Sequence, residues 1–438
     1  MDVRGKSITV FGMAKSGLAT LDLLQRRGAV VRGADARPRE ALPQFEGEYV
    51  PQGEAAIEGC EIAVLSPGVP ADLPLFEEAR LRGIHVVGDV EAASWFLQGP
   101  ILGITGANGK TTTTALCGHL LAGAGIDCQV GGNIGTPLAS MVETSRPGRW
   151  NVLELSSFQL ETTRTMRVSI AAILNITPDH LDRHYTMENY VAAKARILRN
   201  QLPEDFAVLN AENQPAATLS AAARGQVRWF HAGAKKEPGC WRTEGTLWVE
   251  GERLMEEIEI PLRGRHNVEN VLAAACCAYL AGARPDQIRT GVMTFPGVEH
   301  RIEFVRTLNG VSYYNDSKAT NVDATVKALE SFSGGLWVVL GGKDKNSDYT
   351  VLRGLLRERA KSVLLIGAAA EKIAGQLEDA VRMERCGDLK TAVDMASKEA
   401  SCGDTVLLAP ACASFDQFSG YEERGRVFKA IVNSLEER

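Results

Sequence analysis

Leu102-Gly103-Ile104-Thr105-Gly106-Ala107-Asn108-Gly109-Lys110-Thr111-Thr112-Thr113 is the stretch from which the rest of the chain can be read. The apolar run Ile101 to Ile104 predicts a buried strand. A glycine turn follows, and Leu116, Leu120 and Leu121 then keep a helical spacing. Strand, glycine loop and helix form a phosphate cradle, in which backbone N–H groups and the helix N-terminus face an anion. Lys110 adds a full charge, and the Thr111 hydroxyl can hold a magnesium ion. Only two residues separate Gly106 from Gly109, so the usual four-residue spacing is not met and a structural glycine turn remains the alternative.

Working outward, 438 residues imply two to four domains. The net charge of −6 carries no nucleic-acid footprint. Nine cysteines without a C-x-x-C or zinc spacing point to reduced thiols. The apolar run Ile8 to Ala14 is too short and too interrupted for a signal peptide. Val271 to Ala283 falls short of the roughly 18 residues that span a membrane. A soluble, cytoplasmic protein is expected.

Before the phosphate loop, Ser7 to Phe11 reads as a strand, Gly12 to Gly17 as a turn, Leu18 to Arg27 as a helix and Ala29 to Asp35 as a second strand. This is a dinucleotide fingerprint except that Ala14 stands where the middle glycine belongs, which favours another nucleotide-like ligand over NAD. Ile62 to Val69 adds a strand with Ser66-Pro67-Gly68 at its C-terminal end. After the loop, Gln129 to Gly135 runs into a glycine turn with Asn133 exposed. The strand Trp150 to Leu155 carries Glu154 near its end, where a magnesium ligand or a water-orienting acid can sit; a solvated strand end is the alternative. The run Asp179-His180-Leu181-Asp182-Arg183-His184 reads as a loop for metal or phosphate. Met187 to Arg199 reads as a helix with Tyr190, Ala193 and Ile197 on one face, and pattern alone makes Lys194 a solvated charge. From 203 to 263, short strands at Ala207–Leu209, Val227–Phe230, Leu247–Val249 and Ile258–Ile260 predict an antiparallel addition. Asn267 and Asn270 open an Ala-rich helix, where amides either cap the helix or read a base edge. Pro296 to Arg301 reads as a linker. Alternating strands and helices beyond it predict a third, parallel sheet.

These strings together resemble the Mur ligase family of peptidoglycan synthesis. Gly106-x-x-Gly109-Lys110-Thr111-Thr112 is similar to its short phosphate loop. Gly264-x-His266-Asn267-x-x-Asn270 and Asp316-Ser317-Lys318-Ala319-Thr320-Asn321 also fit its pattern. Glu154 to Leu160, Asp179 to Arg183 and Pro410 to Phe418 resemble the branch that adds D-glutamate. The resemblance covers essentially the whole chain in order. It implies an α/β protein of three domains: a Rossmann-like UDP-substrate domain over 1–97, a central P-loop ATPase-type sheet with a small antiparallel addition over 98–297, and a Rossmann-like amino-acid domain over 298–438.

The chemistry implied is ATP-dependent amide formation, releasing ADP and phosphate. The carboxylate of UDP-MurNAc-L-alanine becomes an acyl phosphate, the D-glutamate amine attacks it, and a tetrahedral intermediate loses phosphate. By the same resemblance, Gly106, Asn108, Gly109, Lys110, Thr111 and Thr112 would hold ATP phosphates. Asn267 and Asn270 would face adenine, and Arg301, Asp316 and the catalytic Lys318 would reach ATP. Thr111, Glu154, His180 and Lys194 would ligate two Mg2+ ions, Lys194 as a CO2-derived carbamate. Ala14, Lys15, Ser16, Gly17, Asp35, Arg37, Ser66, Gly68 and Asn133 would bind the UDP substrate. Thr320, Lys345, Ser414, Phe415 and Tyr421 would frame D-glutamate. Groups from three domains imply closure on ligand binding, with a monomer that has neither nucleic-acid nor membrane partners. No role is implied for His184 or Lys343. Other amide ligases of the superfamily, a nicotinamide dehydrogenase and a non-catalytic nucleotide-binding module are the alternatives. Ala14 opposes the dehydrogenase, and the presence of Glu154, His180 and Lys318 opposes the non-catalytic module.

Overall fold

Runs of β-branched and aliphatic residues build three sheets. The computed structural model describes residues 1–233, 235 and 237–437. The first sheet is parallel throughout. It contains β1 (Ser7–Phe11), β2 (Val30–Asp35), β3 (Tyr49–Pro51), β4 (Ile62–Leu65) and β5 (His85–Gly88), in the order β3-β2-β1-β4-β5. The order reverses between β1 and β4, so the loops after these strands border the crevice where open α/β sheets take ligands.

The second sheet is the largest. Its strands are β6 (Ile101–Thr105), β7 (Cys128–Gly132), β8 (Trp150–Glu154), β9 (Ile170–Ile173), β10 (Phe206–Asn210), β11 (Gln226–His231), β12 (Gly239–Thr243), β13 (Thr246–Val249) and β14 (Glu252–Glu256). They lie in the order β14-β13-β12-β11-β10-β9-β6-β8-β7. The phosphate-loop strand β6 is central, flanked by β9 and β8, and both faces are covered, which is why it reads as a continuous apolar run.

The antiparallel addition differs from expectation in extent. β10 and β11 pair in parallel, because the helical turns Gln214–Thr218 and Leu219–Ala222 cross over between them. Only β12, β13 and β14 are antiparallel neighbours. The strand expected at Ile258–Ile260 is instead a 3-10 turn over Glu257–Glu259, closed by the Glu256 N–H donating to Glu259 Oε2 at 2.8 Å. Ile258 is 92% exposed, and Leu254 and Met255 supply the buried face one strand earlier.

The third sheet contains β15 (Glu303–Leu308), β16 (Val311–Asn315), β17 (Leu336–Gly341), β18 (Ala360–Ile366), β19 (Met383–Gly387) and β20 (Thr405–Leu408). Its order is β15-β16-β20-β17-β18-β19, parallel except for the edge hairpin β15-β16. By contacts the chain divides into two compact units. Met1–Pro261 with His266–Phe295 holds the first two sheets; Leu262–Arg265 with the residues from Pro296 on holds the third. No helix among the described residues is long and apolar enough to cross a membrane.

Within the first unit, one buried carboxylate fastens the two sheets. Glu91, 1% exposed on the helix Asp89–Ser94, accepts from the backbone N–H groups of Arg164, Thr165 and Met166 at 2.8, 2.9 and 3.2 Å. It also accepts from the Thr165 hydroxyl at 2.5 Å and from Trp95 Nε1 at 3.1 Å. Burial alone would raise its pKa; the donors outweigh burial and hold it below the usual carboxylate range. Glu91→Gln puts an NH2 donor against N–H donors and is expected to destabilise the fold by about 2 kcal/mol at pH 7 in urea denaturation. The carboxylate's stabilisation is present above its unfolded pKa and lost as pH falls through the lower folded value. The difference between wild type and variant should therefore shrink below about pH 4.

Candidate active site

The phosphate loop joins β6 to the helix Lys110–Gly123. Gly109 has φ +84°, and a Cβ there would lie 2.3 Å from Asn270 Oδ1, so both conformation and space demand glycine. The loop is pinned from its outer side by a residue the sequence reading passed over. Asn175 Oδ1 accepts from the Asn108 N–H at 2.8 Å, its Nδ2 donates to Asn108 O at 3.1 Å, and its carbonyl accepts from the Ala107 N–H at 2.9 Å. Its position just beyond a buried strand was the available signal. Asn270, expected to face adenine, lies buried beneath the loop: its Oδ1 accepts from Thr113 Oγ1 at 3.3 Å and its Nδ2 donates to Asn267 Oδ1 at 3.0 Å.

Two ammonium groups converge on one carbonyl. Lys110 Nζ donates to Gly106 O and Ala107 O, both at 2.9 Å, and Lys194 Nζ donates to the same Gly106 O at 2.8 Å. Lys194 is 1% exposed, not solvated as pattern alone suggested. Its helix, Met187–Ala195, begins at Thr186, whose Oγ1 accepts from the Asn189 N–H at 3.2 Å. Tyr190, Ala193, Lys194 and Ile197 follow i, i+3, i+4 and i+7 spacing, the buried stripe of an amphipathic helix, so the lysine's inward placement was legible in that spacing. The ammonium lies 4.7 Å from the Tyr190 ring centroid. Burial, reinforced by the charge of Lys110, lowers its pKa to about 7.

Glu154 ends β8 beside the loop and is 2% exposed. Its Oε1 accepts from Asn133 Nδ2 at 2.8 Å, and its Oε2 is buried without a hydrogen-bond partner among the described residues. Such an orphaned carboxylate oxygen suits a divalent cation, as does a threonine hydroxyl such as that of Thr111 in the first turn of the helix. His180 sits half out in solvent at φ 53°, with its ring 4.8 Å from that of Phe158. The stretch expected as a loop is helical over Leu181–His184. His184 is buried, with Nε2 2.9 Å from Ser157 Oγ and its ring 5.5 Å from that of Phe158. Among the described residues no three His, Cys, Asp or Glu side chains group to hold a metal.

The expected UDP residues gather at the β1/β4 crevice of the first sheet. Gly17 packs against Gly12, where a Cβ would meet Gly12 O at 1.8 Å, and so plays the close-packing part of the fingerprint's last glycine. Ser66 Oγ donates to Gly12 O at 2.7 Å. Asp35 accepts from the Met13 N–H at 2.7 Å and from the Arg37 guanidinium at 2.9 Å, and the Arg37 hydrogen bond holds its carboxyl well below the usual range. Ser16 at the helix start donates to the buried Asp89, whose pKa burial pushes up to about 6. Lys15 Nζ reaches Gly135 O at 2.6 Å, so this crevice adjoins the Asn133 turn of the second sheet.

The remaining expected residues belong to the second unit. Asp316 is buried with its pKa pushed up to about 7 by burial, against the opposing charges of Arg301 and Lys318. Lys318 Nζ lies 5.4 Å from the Tyr421 ring centroid. Thr320 is half-buried, Lys345 and Phe415 are exposed, and Ser414 is buried at the turn that follows Ala413. Ala411 N–H donates to Ala319 O at 2.9 Å and Lys343 N–H to Ala413 O at 2.8 Å, which draws these loops together.

With this geometry in place, comparison with known proteins is direct. Residues 104–278 match the Mur ligase middle domain, and residues 300–412 match the Mur ligase, glutamate ligase domain. The chain belongs to the Mur ligase family. Among its relatives is the UDP-N-acetylmuramoylalanine–D-glutamate ligase of Solibacter usitatus, 54% identical over 100% of this chain and 99% of the relative. The enzyme of the same name from Koribacter versatilis is 50% identical, again over 100% and 99%. Solved structures share the fold: UDP-N-acetylmuramate-alanine ligase of Thermotoga maritima superposes with TM-score 0.62 at 18% identity, covering 98% of this chain and 99% of that one. A pseudomurein peptide ligase type C of Methanothermus fervidus gives TM-score 0.60 at 18% identity over 99% and 100%.

The electrostatics of Lys194 yield a stability test. Near pH 6 both folded and unfolded chains hold its proton, and the folded state bears the whole cost of the buried charge. Between about pH 7 and its ordinary value near 10.5 the unfolded chain holds more protons, so stability rises with pH. Lys194→Met is therefore expected to stabilise the fold at pH 6 by about 2 kcal/mol, after allowing for the lost hydrogen bond and ring contact. The gain should fall towards zero by about pH 10, read by urea denaturation at both pH values.

Proposed function

We infer that the chain is an ATP-dependent ligase that joins D-glutamate to UDP-N-acetylmuramoyl-L-alanine, a cytoplasmic step in making peptidoglycan precursors. Full-length identity of 50–54% to ligases of that name supports the reading. The observation in the fold that carries it is the short phosphate loop with Lys110 and buried Lys194 on one carbonyl beside the orphaned Glu154 Oε2.

The chemistry needs an activated carboxylate, because an oxide ion is too poor a leaving group for an amine to displace. The γ-phosphoryl of ATP passes to the terminal carboxylate, giving an acyl phosphate and ADP. The amine of D-glutamate then adds to the acyl carbon, and the tetrahedral intermediate expels phosphate as the amide forms. In the first step two anions must meet. The backbone N–H groups of the loop and the Lys110 ammonium oppose that repulsion at the phosphates. The crevice between β1 and β4 would take the uridine nucleotide, with Ala14, Lys15, Ser16 and Gly17 at a helix start suited to its diphosphate. Asp35, Arg37, Ser66 and Gly68 would shape its walls, and Asn133 would meet the sugar end. Thr320, Lys345, Ser414, Phe415 and Tyr421 would frame D-glutamate, Lys345 offering a cation to a dicarboxylate. Arg301, Asp316 and Lys318 would serve the nucleotide from the second unit. The sheets over residues 1–97, 98–297 and 298–438 would then be the UDP-substrate, ATP and amino-acid domains.

Thr111 and Glu154 would hold one magnesium ion, and His180 with a Lys194 carbamate a second. Bound there, magnesium would neutralise phosphate charge as a Lewis acid. Carbamate formation requires an unprotonated amine, and a Lys194 pKa lowered to about 7 by burial supplies one at neutral pH.

Phosphate release from ATP with UDP-MurNAc-L-alanine tests the reading. D-glutamate is expected to support release, while L-glutamate, glycine and meso-diaminopimelate do so at least 100-fold less well. Release with another amino acid only would overturn the substrate assignment. Lys194→Ala is expected to lose at least 100-fold in kcat and to recover partly with added acetate, a small carboxylate able to replace the carbamate; full activity without rescue would dispose of the carbamate.

A further inference from the structure

The largest fully buried side chain among the described residues is a cation, Arg424, 0% exposed on the helix Tyr421–Ser434. Every hydrogen bond it makes among the described residues ends on a neutral oxygen. Nε donates to Ser317 Oγ at 3.0 Å, Nη2 to Ser317 O at 2.9 Å, and Nη1 and Nη2 both to Cys412 O at 3.2 Å. Burial of this charge lowers its pKa to about 10, opposed by Cys412 and Asp416. Asp416 does not serve as a counter-ion in direct contact: its Oδ2 accepts from the Ala368 N–H at 2.9 Å. An arginine buried without a carboxylate is costly, and a methionine of similar length would fill the space without that cost.

What the guanidinium touches explains the expense. Ser317 lies between Asp316 and Lys318, and its hydroxyl donates onward to Tyr421 O at 2.8 Å. Cys412 lies two residues before Ser414, in the loop whose Ala411 N–H bonds Ala319 O. The third contact is Gly342, with φ +136°, where a Cβ would stand 3.2 Å from Arg424 Nη1 and 2.3 Å from Ala413 O; Lys343 and Lys345 follow directly. One planar fork therefore meets the ends of three loops that arrive from β16, β17 and β20. A lysine could reach one of these carbonyls but could not bridge two with fixed geometry.

We propose that Arg424 is the positioning residue of the amino-acid site, locking the loops that carry Lys318 and Thr320, Lys345, and Ser414 and Phe415 into one surface for an anionic amino acid. This rests on the reading that these loops frame D-glutamate. The side chain lies beneath the surface and acts through the loops it holds.

Three variants test it: Arg424→Lys keeps the charge and loses the fork, Arg424→Met keeps the bulk alone, and Ser317→Ala removes one acceptor. For Arg424→Lys, KM for D-glutamate is expected to rise at least tenfold, while KM for UDP-MurNAc-L-alanine stays within twofold. Ser317→Ala should shift KM for D-glutamate about threefold in the same direction. Hydrogen–deuterium exchange should quicken in Arg424→Lys and Arg424→Met at residues 316–320 and 410–415 and stay unchanged around the phosphate loop. A folded Arg424→Lys with KM for D-glutamate within twofold of wild type overturns the proposal, as does a parallel rise of all three substrate KM values. Should both Arg424 variants fail to fold, an unchanged KM in Ser317→Ala overturns it. Should wild type release no phosphate with D-glutamate, the functional reading fails separately. Exchange then decides the positioning claim, and unaltered rates in both segments overturn it.

Discussion

Gly106 O accepts from two ammonium groups at once, Lys110 and Lys194. Like charges this close repel, and burial prevents water from screening them. The arrangement is held by everything around it: β6 buried between β8 and β9, Asn175 clamping the loop from outside, Asn270 filling the space below Gly109, and the Tyr190 ring against the second ammonium. A site so overloaded with positive charge gains from each anion that enters it. Phosphates would relieve it at Lys110. Conversion of the Lys194 amine to a carbamate would reverse the sign of its charge and remove the repulsion at its source.

The sequence announced those features in which a local pattern had one structural solution. A strand followed by glycines, Lys-Thr and a helical spacing favours a phosphate loop over a bare glycine turn, and β6, the loop and the helix Lys110–Gly123 form there. The dinucleotide-like turn with Ala14 also stands at the β1/β4 switch point. Pattern failed where the outcome depended on partners distant in sequence. Strand pairing in β10 and β11 is set by a crossover whose helices are one short turn each and leave a weak periodic signal. The Ile258 region has the alternation of a strand, yet the preceding segment Glu252–Glu256 wins the pairing with β13 because Leu254 and Met255 bury there. Asn175 and Asn270 have no local signature that distinguishes a clamp from a cap. Lys194 was different: its spacing from Tyr190 placed it on the buried stripe, but the habit of reading lysine as solvated concealed it.

Buried charge recurs at the proposed sites. Lys194 and Asp316 are each raised or lowered towards neutrality by burial, and Arg424 is held by neutral oxygens alone. Two other ionic groups of this chain are instead paired at the surface. Arg167 pairs with Asp205 at 2.8 Å, and Lys361 with Asp404 at 2.6 Å, each with one partner open to solvent. Such pairs cost little and contribute little. Protein stability tolerates an uncompensated buried ion only where another requirement sustains it. The recurrence of such ions at Lys194, Asp316 and Arg424 therefore argues for function more firmly than any single residue type does.

A substrate with a nucleotide at one end and a reacting carboxylate at the other sets a further demand, because its length is fixed. The crevice that would receive the nucleotide lies on the first sheet, and the phosphate loop on the second. If these sheets drifted apart, the carboxylate would miss the phosphoryl group, and a misplacement of about 1 Å is enough to cost orders of magnitude in rate. Contacts assign both sheets to one compact unit, and Glu91 shows how the union is made. Five donors, three of them backbone N–H groups of the 164–166 turn, close on one carboxylate. Backbone donors cannot rotate away as side chains can, so this link resists shear as well as separation. Lys15 adds a second tie, from the nucleotide crevice to the Asn133 turn beside Glu154. The spacing between the two proposed ends of the substrate is therefore built from hydrogen bonds within one unit.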